Sequence, residues 1–252
     1  MLDRRTLLAA GLAAPSLALA QTTSAPSAPT WPSDEERLRT DWPFLQRYRT
    51  ENAADRDLPL AARRVVFIGD SITQGWRDSH PAFFSDNGFL GRGVSGQVTA
   101  QMLVRFWSDV VALKPAAVHI LAGINDIAQN AGPYDPVATQ ANLQAMTALA
   151  QANGIAVILS TVLPAAEFPW RPGLGPPAKV RTLNDWLRVY AAQRGAVLAD
   201  YTRVMDDGAG GMKPGLAYDG VHPTREGYAV MEPVVLAAIA QALSRPRIGR
   251  PR

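Results

Sequence analysis

Short, unbroken apolar runs alternating with longer amphipathic stretches constrain this chain more than any other feature. Val65-Val66-Phe67-Ile68, Ala117-Val118-His119-Ile120-Leu121, Ile155-Ala156-Val157-Ile158-Leu159 and Ala196-Val197-Leu198 are brief and rich in β-branched or aliphatic residues. Strands buried on both faces read this way, whereas a half-exposed strand alternates apolar with polar. Between them, Met102, Phe106, Val110 and Leu113 fall at helical spacing, as do Leu183, Trp186, Leu187 and Tyr190. A helix from Ala138 to Asn153 precedes Gly154, which stands where a left-handed cap is expected. Strand-helix repetition of this kind predicts an α/β protein whose parallel sheet carries helices on both faces.

Such sheets gather their ligands beyond the carboxyl ends of the strands. Gly69-Asp70-Ser71 directly follows the first run, and Gly123-Ile124-Asn125-Asp126 follows a later one. A glycine-rich turn, Gly91 to Gly96, follows Gly88-Phe89-Leu90, so all three segments fall on one edge. Asp219-Gly220-Val221-His222-Pro223 comes before the last helix, with Pro223 suited to its first turn.

A serine hydroxyl attacks a carbonyl only when a base takes its proton, a carboxylate orients that base and donors await the oxyanion. The chain has three histidines. His119 lies inside a buried run and reads as a core residue, and His80 sits in a loop whose one nearby acid is Asp78. His222 remains, with Asp219 three positions earlier in a segment that can turn both side chains the same way. By itself that Asp could simply cap the final helix.

The combination is more specific. Gly69-Asp70-Ser71-Ile72, Gly93 within Arg92-Gly93-Val94-Ser95-Gly96, Gly123-x-Asn125-Asp126 and Asp219-x-x-His222-Pro223 occur in this order. Together they resemble the sequence blocks of the SGNH (GDSL) hydrolase family, from roughly Arg64 to Tyr228, with Ile72 in place of the customary leucine. The resemblance implies a three-layer α/β/α sandwich with a flavodoxin-like parallel sheet. It implies Ser71 as nucleophile, His222 as general base and Asp219 as its orienting acid. The backbone N–H groups of Ser71 and Gly93 and the side-chain amide of Asn125 would form the oxyanion hole, glycine at 93 letting the backbone approach the substrate. Asp70 and Asp126 read as turn residues; Asp70 is also a candidate substrate contact, together with Trp76, Trp170 and Arg171. The stretch Gly91 to Gly96 matches G-x-G-x-x-G, but it does not end the first strand and is followed by no acid at a strand end, which argues against a dinucleotide site.

The two ends of the chain read as accessories. Arg4-Arg5, the apolar run from Leu7 to Ala14 and Ala18-Leu19-Ala20 predict a signal peptide over residues 1–20, of general or twin-arginine type, and thus an exported, periplasmic or extracellular protein. Residues 21–32 read as a disordered linker, 33–60 as a helical extension docked by Leu38, Trp42, Phe44, Leu45 and Tyr48, 61–244 as the hydrolase domain and 245–252 as a disordered tail. The net charge of +3 resides at those ends: +1 in the signal and +4 in the tail leave −2 for the body, so no nucleic-acid footprint is expected. With no cysteine and three scattered histidines, neither a disulfide frame nor a metal site is predicted, and no cofactor is needed.

Pro164 to Pro177, with Glu167, Phe168, Trp170, Arg171 and five prolines, could wall the site or form a rigid surface loop. Aromatic walls and a charged rim suit a sugar or small polar ester, and the absence of a long apolar lid argues against long lipid chains. The expected activity is removal of short acyl groups, acetyl foremost. A lysophospholipase or thioesterase and a non-catalytic carbohydrate-binding module are the alternatives.

Overall fold

The computed structural model describes residues 34–245; the predicted signal, linker and residues 246–252 of the tail lie outside them. The sheet has five parallel strands, β1 (Val65–Gly69), β2 (Phe89–Gly93), β3 (Ala117–Leu121), β4 (Ala156–Ser160) and β5 (Val197–Ala199), in the order β2-β1-β3-β4-β5. This is the flavodoxin-like order, and it confirms the expected α/β class. Among the described residues, ten α-helices connect and cover the strands: α1 (Asp34–Thr40), α2 (Arg49–Asp55), α3 (Ser71–Ser79), α4 (Pro81–Asn87), α5 (Thr99–Asp109), α6 (Ile124–Ile127), α7 (Pro136–Ala152), α8 (Pro176–Gln193), α9 (Thr202–Met205) and α10 (Arg225–Ser244).

One strand escaped the sequence reading. Residues 91–93, expected to turn, are the second half of β2, in register with Phe67 to Gly69. Glycines at 91 and 93 hid the strand, because they lack the branched side chains that mark one. They are tolerated here because helices pack directly on the backbone. Gly154 does adopt a left-handed conformation, φ 68°, after the end of α7.

The core on one side of the sheet is aromatic. Phe67 and His119, paired in register on β1 and β3, meet at a tilt with ring centres 4.6 Å apart, and Phe84, Phe89 and Trp76 close around Phe67. Trp76 is wholly buried, stacked on Phe83 at 5.6 Å and on Tyr228 of α10 at 5.6 Å. α10 is the one described helix long and apolar enough to cross a membrane. It packs instead on β3, β4 and β5, with Met231 and Val235 buried.

The 33–60 extension docks differently from expectation. Tyr48 is buried, but Leu38, Trp42 and Leu45 are exposed. Polar bonds hold it instead: Gln97 Nε2 donates to Pro43 O at 2.7 Å, Gln101 Nε2 to Trp42 O at 2.8 Å and Asn52 Nδ2 to Asp109 at 2.6 Å.

Candidate active site

Ser71 begins α3 immediately after β1, at the positive end of the helix dipole. Its N-cap, Asp70, accepts a hydrogen bond from the Ile72 amide at 2.9 Å, which fixes the strand-to-helix turn. The last described loop brings the other groups to it. Ser71 Oγ lies 2.9 Å from Nε2 of His222, and Nδ1 of the same ring lies 2.7 Å from Oδ2 of Asp219. The 151 positions between serine and histidine are bridged by the sheet edge that both reach.

Asp219 is fixed by its own turn. Its Oδ1 accepts the amides of Val221 at 2.9 Å and His222 at 2.8 Å. Burial pushes its pKa up, but these amides and the imidazole outweigh that effect and hold the carboxyl below its ordinary value. With Nδ1–H donating to a carboxylate, Nε2 is left with its lone pair toward the serine hydroxyl. The arrangement can take a proton from Ser71 and return it elsewhere.

Gly93 ends β2 beside this turn, in register with Gly69. A Cβ at 93 would lie 2.1 Å from the Gln74 amide nitrogen and 2.7 Å from Asp70 O. The glycine is therefore demanded first by the packing of β2 against the turn that carries Ser71. Asn125, in the first turn of α6, is buried, donating from Nδ2 to Gln97 O at 3.1 Å and accepting at Oδ1 from Asn130 at 2.8 Å. That acceptance assigns the amide's orientation and leaves one Nδ2 hydrogen for a ligand. Asp126, beside it, accepts from the backbone and hydroxyl of Thr99 at 3.0 and 2.6 Å, so it caps α5.

The four candidate substrate contacts separate. Asp70 is fully buried; burial pushes its carboxyl up to about 6 against the opposing pull of the Ile72 amide and His222, and its Oδ2 has no partner. Trp76 belongs to the aromatic core, and its indole N–H faces Glu232. Both side chains are wholly buried, so neither offers a surface to the edge where Ser71 stands. Arg171 is exposed but spent on loop carbonyls, donating to Ala128 O at 3.2 Å and to Gln129 O. Trp170 does reach the site, its ring 5.9 Å from that of His222. Tyr218, not singled out from sequence, stacks at 5.6 Å and 13° to the same imidazole.

Two further residues carry the site from behind. Arg105, completely buried on α5, donates to Gly69 O at 2.7 Å, Arg92 O at 2.8 Å, Gln97 Oε1 at 2.6 Å and Asp109 Oδ2 at 2.9 Å. Tyr48 donates its hydroxyl to Gly93 O. The sequence signal for Arg105 is an Arg-x-x-x-Asp pair, Arg105 and Asp109, on the stripe that carries Met102 and Phe106.

The other two histidines have other partners. His119 is held neutral, burial depressing it to about 3, with Nε2 at 2.9 Å from the Tyr201 hydroxyl. His80 meets Glu232 of α10 at 2.5 Å rather than Asp78. Cavities of about 840 and 620 Å³ open at the amino ends of the strands, around Arg64, Gly88 and Ala116 and around Ile155 and Val197, away from Ser71.

Comparison with known proteins places this geometry. The model of the GDSL-like lipase/acylhydrolase family matches residues 67–230. A GDSL-like lipase of Bacteroides thetaiotaomicron VPI-5482 has a similar structure, with TM-score 0.78 and 44% identity over 81% of this chain and 100% of its own. A proposed acylhydrolase of Bacteroides fragilis NCTC 9343 gives TM-score 0.76 and 46% identity over 81% of this chain and 99% of its own. In sequence, esterase TesA of Pseudomonas aeruginosa PAO1 is 29% identical over 175 residues, 65% of this chain and 81% of that protein.

Proposed function

Because the chain belongs to the GDSL-like lipase/acylhydrolase family, and is thereby an ester hydrolase, we propose that Ser71, His222 and Asp219 are its catalytic triad and that it removes short acyl groups, acetyl first, from small or carbohydrate esters. The observation that carries this reading is the unbroken relay from Ser71 Oγ through the imidazole to Asp219, 2.9 and 2.7 Å long. Ser71 attacks the ester carbonyl as Nε2 takes its proton, and Asp219 stabilises the imidazolium. The negative charge on the carbonyl oxygen is met by the N–H groups of Ser71 and Gly93 and the free hydrogen of Asn125 Nδ2. His222 then gives its proton to the leaving alcohol, and water, activated by the same ring, releases the acid from Ser71.

Short acyl groups suit a site whose neighbouring loop, 164–177, offers one wall and no apolar lid. Export follows from the leader-like residues 1–20. The test is turnover of p-nitrophenyl acetate by the secreted form beside Ser71→Ala. The variant should lose a thousandfold or more, roughly; equal rates end the triad assignment, and a preference for octanoyl over acetyl esters ends the short-acyl one. Mass spectrometry of the secreted protein, starting at Gln21, checks the leader.

A further inference from the structure

Two large rings stand open to solvent against the catalytic imidazole. Tyr218 is 71% exposed and Trp170 44% exposed, yet each lies within 6 Å, ring centre to ring centre, of His222. Both are held in place. Tyr218 donates its backbone N–H to His222 O at 3.1 Å, and the bridge of Ala217 to Pro223 fixes the same turn. Trp170 rests on the buried ring of Phe168 at 5.4 Å, and its indole N–H points at Asn130 Oδ1, 3.4 Å away, the residue that orients Asn125. The fold thus spends two prepositioned aromatic faces on the rim of the triad, where burial offers them nothing.

The chemistry says which part of an ester meets them. The alcohol oxygen must come within hydrogen-bond reach of Nε2 to receive its proton, so whatever that oxygen carries lies over the groups beside the imidazole. We propose that Trp170 and Tyr218 form a leaving-group subsite that takes the ring of a sugar, making the preferred substrate an O-acylated carbohydrate. This rests on the esterase reading above and extends it to the alcohol side. A pyranose offers an apolar C–H face to each aromatic ring and a hydroxyl edge to water, which matches faces that are flat and wet. The Tyr218 hydroxyl, which has no partner among the described residues, can bond to that edge. A cationic alcohol such as choline, which aromatic rings also hold, is the competing occupant that the experiment separates.

The experiment compares kcat/KM for an acetylated methyl xyloside, methyl acetate and acetylcholine, using the wild-type protein, Tyr218→Ala, Tyr218→Phe and Trp170→Ala. The wild type should favour the sugar acetate over both others. Each alanine variant should lower the ratio of sugar acetate to methyl acetate roughly three- to tenfold, mainly through KM, the equivalent of one aromatic contact. Tyr218→Phe, which keeps the ring, should retain most of the ratio. A parallel fall on both esters with the ratio kept would mean that the rings only steady His222, and would overturn the subsite; so would a preference for acetylcholine. Failure of the underlying reading looks different, since methyl acetate turnover would then be absent or indifferent to Ser71→Ala.

Discussion

Asp70 shows how the nucleophile turn constrains stability. Its Oδ1 caps α3 while its buried Oδ2 has no partner, and burial moves the carboxyl from 3.8 up to about 6. Between those values the native state binds a proton that the unfolded chain has already released. Native stability therefore falls as pH rises across that window, by about 3 kcal/mol in all, and is highest below it. Asp70→Asn keeps a cap oxygen and removes the ionisation. Relative to wild type, the variant should gain about 2.5 kcal/mol between pH 4 and pH 8 in urea melts; parallel curves would show that Asp70 does not titrate as its burial demands. His119 acts in the opposite sense, since a group depressed to about 3 stays neutral while the unfolded chain protonates near 6.5, so its contribution is lost as pH falls. Asn125 belongs to this scale too. With one Nδ2 hydrogen free for the oxyanion, Asn125→Ala should reduce kcat by about 10²- to 10³-fold with KM little changed.

At the level of elements, the site is assembled where strand ends meet, and Arg105 is the brace. From α5 it holds the carbonyls of Gly69 and Arg92, the residues that precede the nucleophile turn and Gly93. Arg105→Met would leave two buried carbonyls and the Asp109 carboxylate without it, a loss of about 3–5 kcal/mol in chemical denaturation. A loss under 1 kcal/mol would contradict the bracing role. The elements most legible from sequence were β1, β3, β4 and β5, whose short continuous apolar runs suit strands buried on both faces. β2 was not legible, because its residues Gly91, Arg92 and Gly93 satisfy contacts that no periodicity records: Arg92 reaches Asn52 at 2.8 Å and Asp55 on α2. The meeting of Ser71, His222 and Asp219 could be read because loop motifs at strand ends carry residue identity. Tyr218 could not, since one exposed aromatic in a loop carries no signal until its neighbour in space is known.

Across the whole molecule, the N-terminal segment is joined to the site by polar bonds rather than by the apolar face that helical spacing suggested. α1 adds exposed residues, whereas the stretch from Trp42 to Asp55 supplies Tyr48, Asn52 and two carbonyls to β2 and α5. A chain starting at Asp41 should melt close to the full chain. One starting at Arg56 should melt many degrees lower and lose activity with it, as calorimetry and ester turnover would record; equal melting of the two would show the segment to be dispensable. The order of the parts along the chain has one more effect. All five strands are finished by Ala199, yet Asp219 and His222 lie beyond them. A chain cut after β5 would lack Asp219 and His222 together with α10, which covers β3, β4 and β5, so a premature stop there should remove the proposed base and the cover of the sheet in one stroke.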